Sequence, residues 1–440
     1  MIGVVKSLLA ASVLSLAAAA PYNEVKPGSF KVVQQRNPHY DNSTFVPRGA
    51  LAMYKAYMKY GAPVPDAINK TVTEYRAAKQ ARLLAKRARS GSVTTTPVND
   101  DEEYITPVSI GTPAQQLNLD FDTGSSDLWV YSTLLPAADD KGQTEWAPGK
   151  SSTAKRLTGA TWKISYGVSF ITGTERNRFC NFLSTQDGSS SSGIVYTDTV
   201  TIGGVTYASQ AVEAAEKVSS EFVSDTDSDG LLGLAFSNLN SVTPTAQKTF
   251  FDNIKSTLTQ PLFVANLKHD EAGTYEFGAI DTSAYTGEIA YTAVSTSPGY
   301  WTFDAAGYSI GSAASSGAAI QGIADTGTTL LYLPTAIVKK YYAQVTSAKY
   351  SELEGGYTLS CNGSPPDFNI FIGTTKITVP GSYIAYAPLT TGGTTCFGGL
   401  QPNTGIGLNI FGDIALKAAY VVFEDSGTSP RLGWANKNLS

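Results

Sequence analysis

Two copies of the tripeptide Asp-Thr-Gly, at residues 122–124 and 325–327, have the residue types best suited to chemistry in this chain. Each copy follows a short apolar stretch, so each is expected where a strand runs into a turn. Two carboxylates that meet at one site cannot both stay ionised at low cost, so one holds a proton while the other remains a base. Such a pair can activate water for attack on a carbonyl carbon. The repeat therefore predicts that Asp122 and Asp325 form an acid–base pair that works best in an acidic medium.

Histidine and metal chemistry are disfavoured by the sequence. His269 is the single histidine after residue 90, so neither a Ser-His-Asp triad nor a zinc site with several histidines is expected. Residues 225–230 imitate the start of an EF-hand calcium loop, but its twelfth position is Phe236, where a bidentate glutamate is needed. We expect no metal and no cofactor.

The elements that position the two carboxylates are expected to be strands. The chain has 440 residues, 42% hydrophobic and 16% charged, which favours two or three domains. Its apolar runs are short and broken by turn residues, so we predict a mainly β protein. One helical exception is expected at residues 335–345, where apolar side chains recur on one face after Pro334.

The N-terminus has the pattern of a secretory signal peptide. Lys6 precedes an apolar run at residues 7–20 that ends in three alanines before Pro21. This pattern predicts that residues 1–20 are removed on export. No later run approaches the roughly 18 apolar residues that span a bilayer. We therefore expect a secreted, extracellular protein without a membrane partner.

Charge divides the chain into a basic segment and an acidic body. Residues 21–90 contain 13 Lys/Arg and 4 Asp/Glu, a balance of +9, whereas residues 91–440 have a balance of −15. The basic segment could bind nucleic acid, or it could cover the acidic body until it is removed. We favour a removable prosegment and no nucleic-acid partner, because interleaved aromatics are lacking and the segment ends in basic residues that suit a processing protease. Residues 66–89 are expected to be helical.

Three cysteines leave one unpaired in a secreted chain. Cys361 and Cys396 lie in the same C-terminal region and could close a loop that stabilises the fold by roughly 3–4 kcal/mol. Cys180 then has no partner.

Five segments, in this order, resemble those of secreted fungal aspartic endopeptidases of the pepsin family. They are FDTGSSDLW (121–129), WKISYG (162–167), DGLLGLAF (229–236), ADTGTT (324–329) and NIFGD (409–413). The resemblance covers nearly the whole chain and implies a mainly β, bilobal pepsin-like fold with the active-site cleft between two similar β lobes. We place the N-terminal lobe with its flap at residues 91–280 and the C-terminal lobe at 281–440. Each lobe supplies one aspartate, so a monomer is expected.

The resemblance also implies roles for single residues. Asp122 and Asp325 become the catalytic pair, and Ser125 and Thr328 are expected to hydrogen-bond their outer oxygens. The other residues that support the pair are Thr123 and Thr326, which would join the two loops, together with Gly124 and Gly327. The flap and substrate cleft would include Tyr166, Gly167, Asp187, Gly188, Trp129 and Thr329. A closing flap excludes water and orients the scissile bond of a protein or peptide substrate.

By the same resemblance, the prosegment acts as an intramolecular inhibitor until acidification. Lys59-Tyr60 resembles the zymogen pair whose lysine reaches the catalytic carboxylates, and a surface lysine is the alternative. Lowering the pH would protonate carboxylates of the acidic body and weaken its attraction to the prosegment.

The chain departs from the family pattern at the flap. Tyr166-Gly167 is separated from Asp187-Gly188 by the nineteen residues 168–186, which include Cys180. Our hypothesis is a translated intron, because Val-Ser and Gln at its ends can be encoded by common splice-site sequences and nineteen codons keep the frame. A real loop insertion is the alternative, since long loops are tolerated thermodynamically. In that case closure of the flap is in doubt, and the chain could be a catalytically impaired pepsin-like binding protein.

Overall fold

The computed structural model describes residues 28–36, 45–87, 104–139, 142–165, 190–219, 222–223 and 228–439. Strands account for most of the regular structure in these ranges. The predicted mainly β fold is therefore confirmed. The proposed ends of the signal peptide, the prosegment and the two lobes remain predictions.

The described strands are, in chain order, β1 Phe30–Val33, β2 Gln35–Arg36, β3 Tyr104–Ile110, β4 Gln115–Asp122, β5 Leu128–Val130, β6 Lys155–Ser165, β7 Ser190–Ile202, β8 Val205–Val218, β9 Gly230–Gly233, β10 Leu262–Asn266, β11 Thr274–Phe277, β12 Thr286–Ser295 and β13 Thr302–Ala305. They continue as β14 Gly307–Ile310, β15 Ile320–Ala324, β16 Leu331–Leu333, β17 Lys349–Ser351, β18 Gly356–Ser360, β19 Phe368–Ile372, β20 Thr375–Val379, β21 Ala385–Pro388, β22 Thr395–Gly398, β23 Leu400–Pro402, β24 Ile410–Phe411, β25 Ala419–Glu424 and β26 Arg431–Asn436.

The described α-helices are α1 Arg48–Lys59, α2 Asp66–Arg87, α3 Phe250–Ile254, α4 Thr335–Tyr342, α5 Gly381–Ile384 and α6 Asp413–Leu416. α2 occupies most of the range in which the basic segment was expected to be helical. α4 ends three residues before the predicted end at residue 345. The reason is that the backbone N–H groups of Gln344 and Val345 bond carbonyls three residues back, at Tyr341 and Tyr342, so the chain tightens into turns.

Two large sheets dominate the molecule and give it its bilobal form. One has eight strands in the order β2-β3-β4-β9-β5-β8-β7-β6, and the other has eleven in the order β1-β11-β10-β25-β26-β12-β13-β15-β24-β16-β23. Two smaller sheets, β14-β19-β20 and β17-β18-β22-β21, complete the C-terminal part. The basic segment takes part in both large sheets, because β1 pairs with β11 and β2 with β3.

The same local topology occurs once in each large sheet. β9 lies parallel to β4 and antiparallel to β5, and the first Asp-Thr-Gly begins at the last residue of β4 and continues into the turn before β5. β24 lies parallel to β15 and antiparallel to β16, and the chain between these strands carries the second copy. Each loop is thus fixed by a short apolar strand that pairs with both of its neighbours.

Candidate active site

The two Asp-Thr-Gly loops meet face to face. Thr123 N donates to Thr326 Oγ1 at 3.0 Å, and Thr326 N donates to Thr123 Oγ1 at 3.0 Å. Each hydroxyl then donates onward to a backbone carbonyl of the opposite loop, Thr123 Oγ1 to Ala324 O at 2.9 Å and Thr326 Oγ1 to Phe121 O at 2.6 Å. Both threonines are buried. This reciprocal set of hydrogen bonds fixes the two aspartates relative to each other.

The third position of each tripeptide must be glycine, because there is no space for a side chain. A Cβ atom on Gly124 would lie 2.5 Å from Asp325 Oδ1, and one on Gly327 would overlap Asp122 Oδ1. Each glycine N–H instead donates to the carboxylate of its own loop, Gly124 N to Asp122 Oδ1 at 2.7 Å and Gly327 N to Asp325 Oδ1 at 3.0 Å. The carboxylates of the two loops therefore face each other with no side chain from either glycine position between them.

A hydroxyl holds the second oxygen of each carboxylate. Ser125 Oγ donates to Asp122 Oδ2 at 2.6 Å, and Thr328 Oγ1 donates to Asp325 Oδ2 at 2.5 Å. Asp122 is 1% exposed and Asp325 is fully buried. Each carboxylate thus has a fixed orientation inside the protein, which is what acid–base work on a bound group requires.

Lys59, the last residue of α1, bridges the two carboxylates. Its Nζ lies 2.7 Å from Asp122 Oδ1 and 2.9 Å from Asp325 Oδ1, and its side chain is 10% exposed. The Tyr60 hydroxyl donates a short hydrogen bond to Asp325 Oδ2, and the Tyr60 ring packs edge-on against Tyr300 with centroids 6.1 Å apart. The basic segment therefore occupies the space directly over both aspartates.

The two carboxyl groups have different electrostatic surroundings. Burial raises the pKa of Asp122 above its usual range, although Lys59 opposes this shift. Burial acts in the same direction on Asp325, but Lys59, Thr328 and Tyr60 together hold the pKa of Asp325 below its usual range. Burial opposes the charge on Lys59, but the two carboxylates raise its pKa well above the ordinary lysine value. One lysine charge thus compensates two buried acids that titrate together.

The other predicted site residues are only partly described. Trp129 is buried against Trp162 and Tyr131, with ring centroids 6.0 and 5.3 Å away, and its Nε1 has no hydrogen-bond partner among the described residues. Thr329 lines a small cavity of about 60 Å³ together with Thr326 and Thr328. The predicted flap residues Tyr166, Gly167, Asp187 and Gly188 lie outside the described residues, as does the segment 168–186.

Two buried acids near the site were not singled out from the sequence. Asp127 lies five residues after Asp122 on the same loop, and Glu213 lies opposite on β8. The signal that could have revealed Glu213 is a charged residue inside the otherwise apolar run Ala211–Ala215, where burial is expected.

The described residues contain a disulfide. Cys361 and Cys396 form a disulfide with an S–S distance of 2.08 Å, as the sequence allowed. In the described part of the chain, no helix has the length and apolar character needed to cross a membrane. The same residues hold no group of three or more His, Cys, Asp or Glu side chains placed to bind a metal ion.

Comparison with known proteins identifies the family of this chain. A family model described as eukaryotic aspartyl protease matches residues 103–178 and 174–437. The chain belongs to this family. The two matches overlap inside the segment 168–186, where the chain departs from the pepsin-like pattern.

Curated aspartyl proteases of fungi are similar over almost their whole length. Endothiapepsin of Cryphonectria parasitica is 52% identical over 415 residues, which cover 94% of this chain and 92% of the relative. Podosporapepsin of Podospora anserina is 48% identical, covering 94% and 92%. Penicillopepsin-3 of Penicillium janthinellum is 47% identical, covering 94% and 91%. This chain is therefore an aspartic peptidase, as the sequence predicted.

Among solved structures, the aspartic proteinase of Irpex lacteus has a similar fold. The TM-score is 0.60 at 25% sequence identity, and the match covers 77% of this chain and 95% of that protein. The bilobal, pepsin-like architecture predicted for this aspartyl protease is thereby confirmed.

Proposed function

We propose that this aspartic peptidase is a secreted acid endopeptidase that uses Asp122 and Asp325 to activate a water molecule. The observation that carries the proposal is that both carboxylates are buried, are each held by their own hydroxyl, and lie within hydrogen-bonding distance of one nitrogen atom. When the lysine is withdrawn, a water molecule can occupy the same point. One carboxylate then takes a proton from that water as it attacks the peptide carbonyl, and the protonated partner donates to the developing oxyanion.

The pKa values of the two carboxyl groups are shifted in opposite directions, which agrees with one acting as base and the other as acid. Two acids at hydrogen-bonding distance share one proton because a second negative charge in a buried site is costly. The pair is therefore active only while it keeps this proton, which confines activity to acidic medium. Both aspartates come from one chain, so a monomer is sufficient. A broad preference for hydrophobic residues around the scissile bond is inferred from the family resemblance.

We further propose that residues 21–90 form the prosegment of a zymogen. Lys59 and Tyr60 occupy the place that the water and the scissile bond need. The signal pattern at residues 1–20 supports export, and an extracellular acid protease benefits from latency until it has left the cell. No nucleic-acid or membrane partner enters this proposal.

Two single substitutions test the catalytic assignment. Asp122→Asn and Asp325→Asn keep the size of the side chain but remove its ability to exchange a proton, so kcat should fall by about 10²–10⁴-fold or more. Asp304→Asn is the matched control, because Asp304 is exposed on β13 and its carboxylate accepts a hydrogen bond from the side chain of Gln321 at 3.2 Å. Pepstatin should inhibit the parent enzyme and the control. Unchanged proteolysis in either site variant would refute the assignment.

A further inference from the structure

A second pair of buried carboxyl groups lies beside the Asp122 loop. Asp127 is 4% exposed and Glu213 is 1% exposed. One amide nitrogen, Asn240 Nδ2, donates to both, at 3.1 Å to Asp127 Oδ1 and at 2.8 Å to Glu213 Oε1. Ser241 N also donates to Asp127 Oδ1, at 2.8 Å. The two acidic side chains are also close enough to share a hydrogen bond, which requires that one of them carry a proton.

No positive charge compensates this pair within the described ranges of the chain. Among the described residues, no lysine, arginine or histidine forms an ion pair with either carboxyl. The groups that face the pair are Asn240 and Ser241 from the segment before α3, and Asp122, whose negative charge disfavours ionisation of Asp127. Two buried carboxylates without a cation cannot both be charged at acceptable cost.

One proton shared between the acids removes this cost. Glu213 Oε2 is buried and has no hydrogen-bond donor among the described groups, so it can carry the proton and donate it to Asp127. Burial raises the pKa of Glu213 well above its usual range, and Asp127 adds to this shift. Burial likewise raises the pKa of Asp127, although the Ser241 N–H opposes the shift.

The pair connects the Asp122 loop to the sheet behind it. Asn240 Nδ2 donates to Ser126 O at 3.2 Å as well as to the two carboxyls. The carbonyl of Asp127 accepts from Gly233 N at 2.9 Å, and Glu213 lies on β8, which pairs with β5 directly after the loop. Residues 122–127 are therefore tied to β9 and to Asn240 by hydrogen bonds that do not depend on pH, and to Glu213 on β8 through the proton-dependent contact of the two carboxyls.

The Asp325 loop has no titratable group at the matching place. Five residues after Asp122 the chain has Asp127, whereas five residues after Asp325 it has Leu330, which is fully buried. The two loops share their backbone topology and their threonine contacts, so this difference distinguishes them chemically. The Asp122 loop alone depends on a buried carboxyl at this position.

We propose that Asp127 and Glu213 are positioning residues that hold the Asp122 loop through one shared proton, and that losing this proton loosens the loop. A carboxyl whose pKa is raised in the folded protein stabilises the fold at low pH, and this contribution is lost as the pH rises through the raised pKa. The pair therefore sets an upper pH limit above which the Asp122 loop is no longer held in one conformation. Its kinetic consequence rests on the proposed role of Asp122, whereas its effect on stability does not.

Thermal unfolding of the full chain tests the shared proton. In Glu213→Gln the amide donates permanently to Asp127, so no proton can be lost. We expect E213Q and the parent to melt at the same temperature at pH 5. Between pH 5 and pH 8, the melting temperature of E213Q should fall by about 2–4 °C less than that of the parent. Asp127→Asn, whose amide can donate to Glu213, should behave alike and serves if E213Q does not fold. A decline as steep as that of the parent in both variants would overturn the proposal.

The control is Asp425→Asn, which removes a buried carboxylate that has a cation. Asp425 is 6% exposed and forms an ion pair with Lys255. Because its removal leaves Lys255 without this partner, D425N should melt below the parent at both pH values. A pH-dependent gain in D425N like that of E213Q would show that any removal of a buried acid gives the effect, and would overturn the proposal.

Kinetics of the acid-activated enzyme test the positioning role. At pH 4, Glu213→Leu should lower kcat by about tenfold or more with KM nearly unchanged, and E213Q should restore kcat. An equal loss in both variants, or a change confined to KM, would contradict the positioning role. If the Asp122 assignment itself fails, Asp122→Asn reveals this, and the melting curves still decide whether the proton is shared.

Discussion

Replacing Lys59 by methionine should release the proposed latency of the zymogen. Methionine keeps the length of the side chain but removes its charge, so Asp122 and Asp325 remain buried without a cation. Lys59 is 10% exposed and contacts both carboxylates within 2.9 Å, so its ion pairs are buried ones. Removing one partner of a buried ion pair costs about 3–5 kcal/mol. The equilibrium between the covered and the open site should therefore shift by roughly two to four orders of magnitude.

The assay is the initial rate of cleavage of a fluorogenic peptide by the intact chain at pH 5.5, with gels confirming that the prosegment is still attached. The parent should be latent, and Lys59→Met should be more active by about 10²-fold or more. Lys70→Met is the matched control, because Lys70 lies on α2 of the same segment, is 76% exposed and has an exposed acidic partner, Glu74, 4.0 Å away. It should remain as latent as the parent.

One result would refute this reasoning. If intact Lys59→Met is as latent as Lys70→Met, while both are fully active after acid processing, the lysine bridge does not close the site. Tyr60 and the packing of α1 would then have to be what blocks the active site in the intact chain. A variant that is inactive even after processing reports on folding, and its melting temperature identifies that case.

Three further predictions concern pH, the disulfide and the inserted segment. The Lys59 bridge depends on ionised Asp325, whose pKa is held below its usual range. Latency should therefore be present above pH 4 and be lost as the pH falls below that value. Equal rates of prosegment release at pH 3 and pH 6 would contradict this. Cys361→Ser opens a loop of 35 residues and should lower the free energy of unfolding by roughly 3–4 kcal/mol in urea titrations, whereas a loss below 1 kcal/mol would show that the bridge contributes little. A chain without residues 168–186 should have a higher kcat/KM than the full chain if the segment is a translated intron, and equal values, or a transcript that retains all nineteen codons, would favour a real insertion.

The two carboxylates could be picked out from the sequence because their signals are local. Asp122 and Asp325 each follow an apolar strand and precede a glycine, and such short patterns are readable without knowing the fold. The contact of their loops is not local, since Thr123 and Thr326 are 203 residues apart. Only the duplication of the motif and the family resemblance pointed to it.

The cation over the site was harder to identify. Lys59 is one of 13 basic residues in the segment 21–90, and only the resemblance of Lys59-Tyr60 to a zymogen pair pointed to it. Its place follows from the packing of α1, which buries Met53, Tyr57 and other side chains against the body and so directs its last residue inward. The pair of Asp127 and Glu213 was missed for the same reason, because 86 residues separate two acids that meet only in the folded sheet.

The geometry of the bridge explains why acid can act as the proposed trigger. With the prosegment in place, one lysine charge and the Tyr60 hydroxyl compensate two buried carboxyl groups. When the prosegment leaves, both are withdrawn, and the pair can stay buried at low cost only if it takes up a proton. Release is therefore coupled to proton uptake, and the equilibrium favours the covered site at neutral pH and the open site in acid. The proton that replaces Lys59 is the same one that the proposed mechanism needs for water activation.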